Sequence, residues 1–181
     1  MPESYYLDDI NRIASEIHTK VMVLSGKGRF SGICFGESFT AGLVCSSLVD
    51  NPGTSSYILG GITFYHPSIK KSLCISSDIV DNNIISSSCS REAALMTLRQ
   101  FQAWGTDPEI AISSIGLAEP AENGGGRIFI SICSKKGNII DKEFFLNPGR
   151  DINDKEARNK TRYYGTMKAL EMILEYIERY D

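Results

Sequence analysis

Gly36-Glu37-Ser38-Phe39-Thr40-Ala41-Gly42 joins an apolar run at 33–35, which reads as a strand, to one at 43–49, which reads as a helix. A serine at such a strand-to-helix turn has its hydroxyl close to the positive end of a helix, where nucleophilic chemistry or anion binding is favoured. The local pattern leaves a second reading open, in which Ser38 or Thr40 simply caps the helix. Which of these holds decides both the fold class and the function.

Outward from the turn, the pattern alternates. Leu7, Ile10, Ile13, Ala14, Ile17 and Val21 recur at helical spacing before it, and Gly26-Lys27-Gly28 ends that helix. After it, Asn51-Pro52-Gly53-Thr54-Ser55 is a turn, and 57–65 is a strand-like segment with Gly60-Gly61 inside. Pro67 opens a short helix carrying Lys70 and Lys71. A helix is expected from about 91 to 104, a short strand at 110–115, a glycine-rich loop at 116–126, and a hairpin of 127–133 and 139–145 around Lys135-Lys136-Gly137-Asn138. A loop at 147–153 leads to a long last helix, with Ala157, Thr161, Tyr164, Leu170, Ile173, Leu174 and Ile177 on its buried side. Early alternation and a late hairpin predict an α/β fold, a mixed sheet with helices on both faces, built as one domain over 1–181.

Bulk composition excludes several function classes. The 181 residues are 42% hydrophobic and 23% charged with a net charge of −3, so no nucleic-acid footprint is present. No segment approaches the roughly 20 apolar residues of a membrane span, and Met1-Pro2-Glu3-Ser4 does not open a signal peptide. Cys34, Cys45, Cys74, Cys89 and Cys133 are widely spaced and include no C-x-x-C pair, which reads as core thiols of a reducing cytoplasm. With only His18 and His66 besides, no metal site is expected.

The loops at 37–42, 65–70 and 116–126 follow strands, where ligands gather in open α/β sheets. A serine nucleophile needs a base. His66 is one candidate; Lys70, if burial keeps it neutral, is another, with Tyr65 placed to relay a proton or orient the hydroxyl. Backbone N–H groups at the start of the helix after Ser38 would hold an oxyanion or a phosphate. By default, Lys70 is a solvated helix lysine and Tyr65 a strand aromatic.

Glu37-Ser38-Phe39-Thr40-Ala41-Gly42 also resembles the E-S-x-T-G-G segment of the CinA C-terminal domain family, the nicotinamide-nucleotide amidases or competence/damage-inducible proteins. Pro52-Gly53-Thr54-Ser55-Ser56, Gly60-Gly61 and Tyr65 resemble its P-G-S-S…G-G…Y segment, and Lys70 falls at the lysine of its Y-x-N-x-x-K element. Gly116-Leu117-Ala118-Glu119-Pro120 resembles G-I-A-G-P, and Gly149-Arg150 with Ala169-Leu170 resemble its C-terminal part. The resemblance implies a three-layer α/β/α sandwich that deamidates nicotinamide mononucleotide to nicotinate mononucleotide and ammonia in cytoplasmic NAD recycling. It further implies a stand-alone form of the family, a homo-oligomer, and no cofactor or metal. By the same resemblance Ser38, Tyr65 and Lys70 are catalytic, and Thr40, Ala41, Gly42, Ser114, Ile115, Gly116 and Arg150 bind substrate.

This chain departs from the family pattern at Ile115 (threonine), Glu119 (glycine), Ala41 (glycine) and Pro67 (asparagine). A methyl at position 41 is unfavourable if φ there is positive, and Glu119 brings negative charge towards an anionic substrate. The alternatives are a member that has lost activity and acts as a nucleotide-binding or assembly protein, or an amidase for a different amide.

Overall fold

The computed structural model describes residues 6–73, 75–119, 126–147 and 154–179. Its elements are α1 (Leu7–Gly26), β1 (Ile33–Glu37), α2 (Leu43–Val49), a 3-10 turn (Thr54–Ser56), β2 (Ile58–Thr63), α3 (Pro67–Ser72), α4 (Ser77–Asn82), α5 (Ser87–Ala103), β3 (Ile110–Gly116), β4 (Arg127–Ser134), β5 (Ile139–Phe145) and α6 (Asp154–Glu178). The sheet runs β2-β1-β3-β4-β5. β1 is parallel to β2 and β3, while β3, β4 and β5 form an antiparallel meander. This is the expected mixed sheet, with helices on both faces. α4 was not expected, because a six-residue helix is too short to show a periodicity. α5 begins at Ser87 rather than near 91, since the Ser86 hydroxyl accepts the Cys89 N–H and caps it there.

Strand alternation divides the core. Ile33, Phe35, Ile110, Ile112, Ile128 and Ile130 face α1, α2 and α6 and fill the larger cluster. Cys34, Ala111 and Cys133 face α5 further along. Phe64, Ile115 and Phe129 pack with Cys89, Ala93, Ile75 and Val80 where α4 meets α5. α5 lies close to β1 because residue 36 is glycine: a Cβ there would fall 2.3 Å from Thr97 Oγ1. Gly60, at φ 127°, serves a register shift against β1, in which Ile33 pairs Ile58 and Cys34 pairs Gly60; the glycine pair thus shapes backbone.

Parallel pairing brings three strand ends together. Glu37, the last residue of β1, stands opposite Thr63 of β2 and Ser114 of β3. Ser38 therefore emerges between the β2–α3 connection and the end of β3. Among the described residues no helix is long and apolar enough to cross a membrane.

Candidate active site

Glu37 governs the turn. Its carboxylate is 2% exposed and accepts the N–H groups of Gly42 (2.9 Å), Val44 (3.2 Å) and Cys45 (2.9 Å). A buried carboxylate requires such partners, and the N-terminus of a helix supplies them with a favourable dipole. Neither Ser38 nor Thr40 caps α2, so the capping alternative for Ser38 falls. The same bonds overturn the expectation that the first N–H groups of α2 hold an oxyanion or phosphate, for Glu37 consumes them.

Ser38 is 7% exposed and held by its N–H on the Ser114 carbonyl at 3.0 Å. Thr40, fully buried, shares a hydroxyl–hydroxyl bond with Ser114. Phe39 fixes the turn from the other side. Its ring is so close to Gly116 of β3 and Gly165 of α6 that a Cβ would come within 3.0 Å and 2.3 Å of it, respectively. Among the described residues, the Phe39 and Thr40 N–H groups donate no hydrogen bond. They directly follow Ser38, where acyl-transfer enzymes gather charge-stabilising donors.

Lys70 is 2% exposed, and its Nζ lies 3.0 Å from Ser38 Oγ, 2.8 Å from the Phe64 carbonyl and 3.1 Å from the Tyr65 carbonyl. Carbonyl oxygens only accept. A neutral amine that gives both its hydrogens to them is left with its lone pair directed at the Ser38 hydroxyl, the arrangement a general base requires. Burial lowers the Lys70 pKa from its ordinary value; the nearby Cys89 thiol opposes this as a lesser effect. Among the described residues no carboxylate pairs with Lys70 to hold it charged.

Tyr65 touches this pair through its main chain. Its side chain is 55% exposed, and its hydroxyl accepts a 2.6 Å bond from Arg158 Nη2. His66 is no base for Ser38: its Nδ1 caps α3 by accepting the Ser68 N–H at 3.2 Å.

The remaining substrate-contact expectations divide. Ala41 is exposed with φ 53°, so it does occupy the left-handed region, and it lines a cleft of about 390 Å³ with Phe39 and Tyr65. The far wall is α6, which presents Lys155, Arg158, Asn159 and Arg162 at helical spacing. Arg162 Nη2 bonds the Thr40 carbonyl at 3.2 Å, and among the described residues its buried Nε has no hydrogen-bond partner. Ile115 does not reach the cleft. Adjacent strand residues point to opposite faces, and its side chain is fully buried in the α4–α5 core. Gly116 serves Phe39, Ser114 serves Thr40, and Gly42 lines a separate groove beside β2. Arg150 lies outside the described residues. Among the described residues, the arginines that reach the cleft are Arg158 and Arg162, overlooked in sequence although their i, i+4 spacing marks one helical stripe.

A mixed-sheet α/β/α fold with a buried serine–lysine pair beside a cationic cleft defines the class of protein. The CinA C-terminal domain family matches residues 15–177, and the chain belongs to that family. A protein of Listeria welshimeri named as competence-damage inducible is 30% identical over 166 residues, covering 89% of this chain and 36% of that protein. Protein MG115 of Mycoplasma genitalium is 36% identical over 115 residues, covering 61% of this chain and 70% of its own length. A CinA-like protein of Desulfotalea psychrophila is 28% identical over 132 residues, 68% of this chain and 30% of that protein. The chain thus spans about a third of the first and last of these relatives. Among solved structures, the competence/damage inducible protein CihA of Agrobacterium tumefaciens superposes with a TM-score of 0.76 at 22% identity, over 94% of this chain and 96% of that one. A competence damage-inducible protein of Klebsiella pneumoniae also gives 0.76, at 18% identity over 95% and 99%. These structures establish the fold.

Proposed function

We propose that this chain is an amidohydrolase that deamidates nicotinamide mononucleotide, in cytoplasmic recycling of pyridine nucleotides. The observation that carries the reading is the 3.0 Å contact between the buried Lys70 amine and the Ser38 hydroxyl, with the other two Nζ contacts spent on carbonyls. In this reading Ser38 Oγ attacks the carboxamide carbon while Lys70 Nζ takes the hydroxyl proton. The carbonyl oxygen becomes an oxyanion facing the unspent Phe39 and Thr40 N–H groups. Lys70 then returns the proton to the leaving nitrogen as the C–N bond breaks, and ammonia departs from an acyl-Ser38 ester. Water, deprotonated by Lys70, attacks that ester. Nicotinate mononucleotide leaves and the Ser38 hydroxyl is restored. The Tyr65 carbonyl keeps Lys70 in place, and Lys155, Arg158 and Arg162 suit the phosphate of the substrate.

The test is ammonia release from nicotinamide mononucleotide by the wild type and by Ser38→Ala. The expected result is turnover that depends on Ser38. Equal rates in both would remove the nucleophile assignment. Calorimetric binding of the nucleotide without any ammonia would instead select a ligand-binding member of the family.

A further inference from the structure

Glu119 approaches the cationic wall of the cleft at Arg158. Arg158 is shared between the Tyr65 hydroxyl, at 2.6 Å from Nη2, and the Glu119 carboxylate, at 3.9 Å from Nη1. Glu119 belongs to the segment that leaves β3; Arg158 and Arg162 stand one turn apart on α6. The contact therefore joins the segment after the sheet to the helix that walls the cleft. Both side chains are partly solvated, at 38% for Arg158 and 44% for Glu119, so the pair is easily exchanged. Arg162 is placed differently. It is tied to the Thr40 carbonyl, and among the described residues its buried Nε has no partner, so its guanidinium has donor capacity to spare beside the seat that Glu119 partly neutralises.

We infer that Glu119 is a built-in competitor for the anion seat on Arg158, a specificity-determining residue that a doubly charged phosphate displaces and a singly charged anion does not. The inference rests on the phosphate-bearing substrate proposed above. A carboxylate ligand offers Arg158 only the charge Glu119 already provides, and gains little by displacing it. A phosphate monoester carries about −1.5 to −2 charges and three acceptor oxygens, so it can engage Arg158 and Arg162 together and still exceed Glu119. Glu119 does not simply repel the anion, because its own charge is directed to the arginine the anion needs. The cost it adds is the modest one of exchanging a half-exposed ion pair.

The experiment compares wild type, Glu119→Gln, Arg158→Gln and the double variant. Inorganic phosphate binding is measured by calorimetry, and kinetics are measured with nicotinamide mononucleotide and its dephosphorylated nucleoside. Glu119→Gln is expected to tighten phosphate about two- to fivefold, the range of a partly exposed ion pair. The KM for the mononucleotide should fall similarly, with the effect in KM rather than kcat and none for the nucleoside. In the Arg158→Gln background the gain should vanish, as a coupled pair requires. Unchanged or weaker phosphate binding in Glu119→Gln would overturn the inference, as would an equal gain for the nucleoside or a gain that persists without Arg158. Phosphate binding reads this seat even where no variant releases ammonia, so loss of the amidase reading is separable from loss of the competitor.

Discussion

The two sides of Ser38 are built on opposite electrostatic terms. On the α5 side a single buried amine lies near Phe64 and Cys89, and burial lowers its pKa. On the α6 side Lys155, Arg158 and Arg162 line an open cleft. Lysine serves in both places, yet Lys70 is 2% exposed and suited to accept a proton, while Lys155 faces solvent and is suited to attract an anion. Identity of side chain says little about role here; the dielectric around it decides.

Changing the dry side should have the larger effect. Lys70→Met is expected to lower kcat by about 10²- to 10⁴-fold while leaving the circular-dichroism spectrum intact. The sign of the pH effect follows from the lowered Lys70 pKa. The wild-type rate is expected to fall as pH drops through the folded value, because the proposed base becomes an ammonium. Stability moves the same way. The unfolded lysine binds its proton below about 10.5, so between that pH and the lower folded value the unfolded state holds more protons and stability rises with pH. Urea midpoints measured across pH should show this slope in wild type, and a flatter profile in Lys70→Met. On the wet side, Arg162→Gln should raise the KM for nicotinamide mononucleotide about tenfold with a smaller change in kcat; a collapse of kcat alone would erase the contrast between the two sides.

Two changes probe the wall between them. Glu37→Gln removes the charge that holds the N–H groups of Gly42, Val44 and Cys45 at the start of α2 and should cost about 2 kcal/mol in urea unfolding. The smallest effect belongs to Ala41→Gly. At φ 53° the alanine methyl is strained, and glycine should gain about 1 kcal/mol in thermal unfolding.

What the sequence disclosed followed from how local each feature is. The strand–turn–helix around Ser38 was readable because apolar runs and glycines punctuate it within a few residues. Lys70 could be suspected but not placed, since its approach to Ser38 depends on the parallel register of β1 and β2 and on the length of the connection to α3. Glu37 was not legible as the cap because capping side chains stand beside the first helical residue, whereas Glu37 reaches across from the end of its strand. A signal existed: an acid closing Ile33-Cys34-Phe35-Gly36, a run buried throughout, must find donors. Ile115 was misjudged because motif matching treats neighbours as equivalent, and a strand sends them to opposite faces. Gly149 drew attention to Arg150, while the stripe of Lys155, Arg158 and Arg162 lay in plain helical spacing.

The ring of Phe39 makes the molecule a gauge. Wedged between a glycine of the sheet and a glycine of α6, it spaces the helix that bears the cations from the turn that bears the hydroxyl. Neither glycine leaves room for a side chain, so the separation is set by the thickness of one aromatic ring and has little freedom to adjust. A ligand held at both ends would thereby be measured as well as recognised, and a spacer one carbon too long is expected to bind more weakly even with both of its end groups correct.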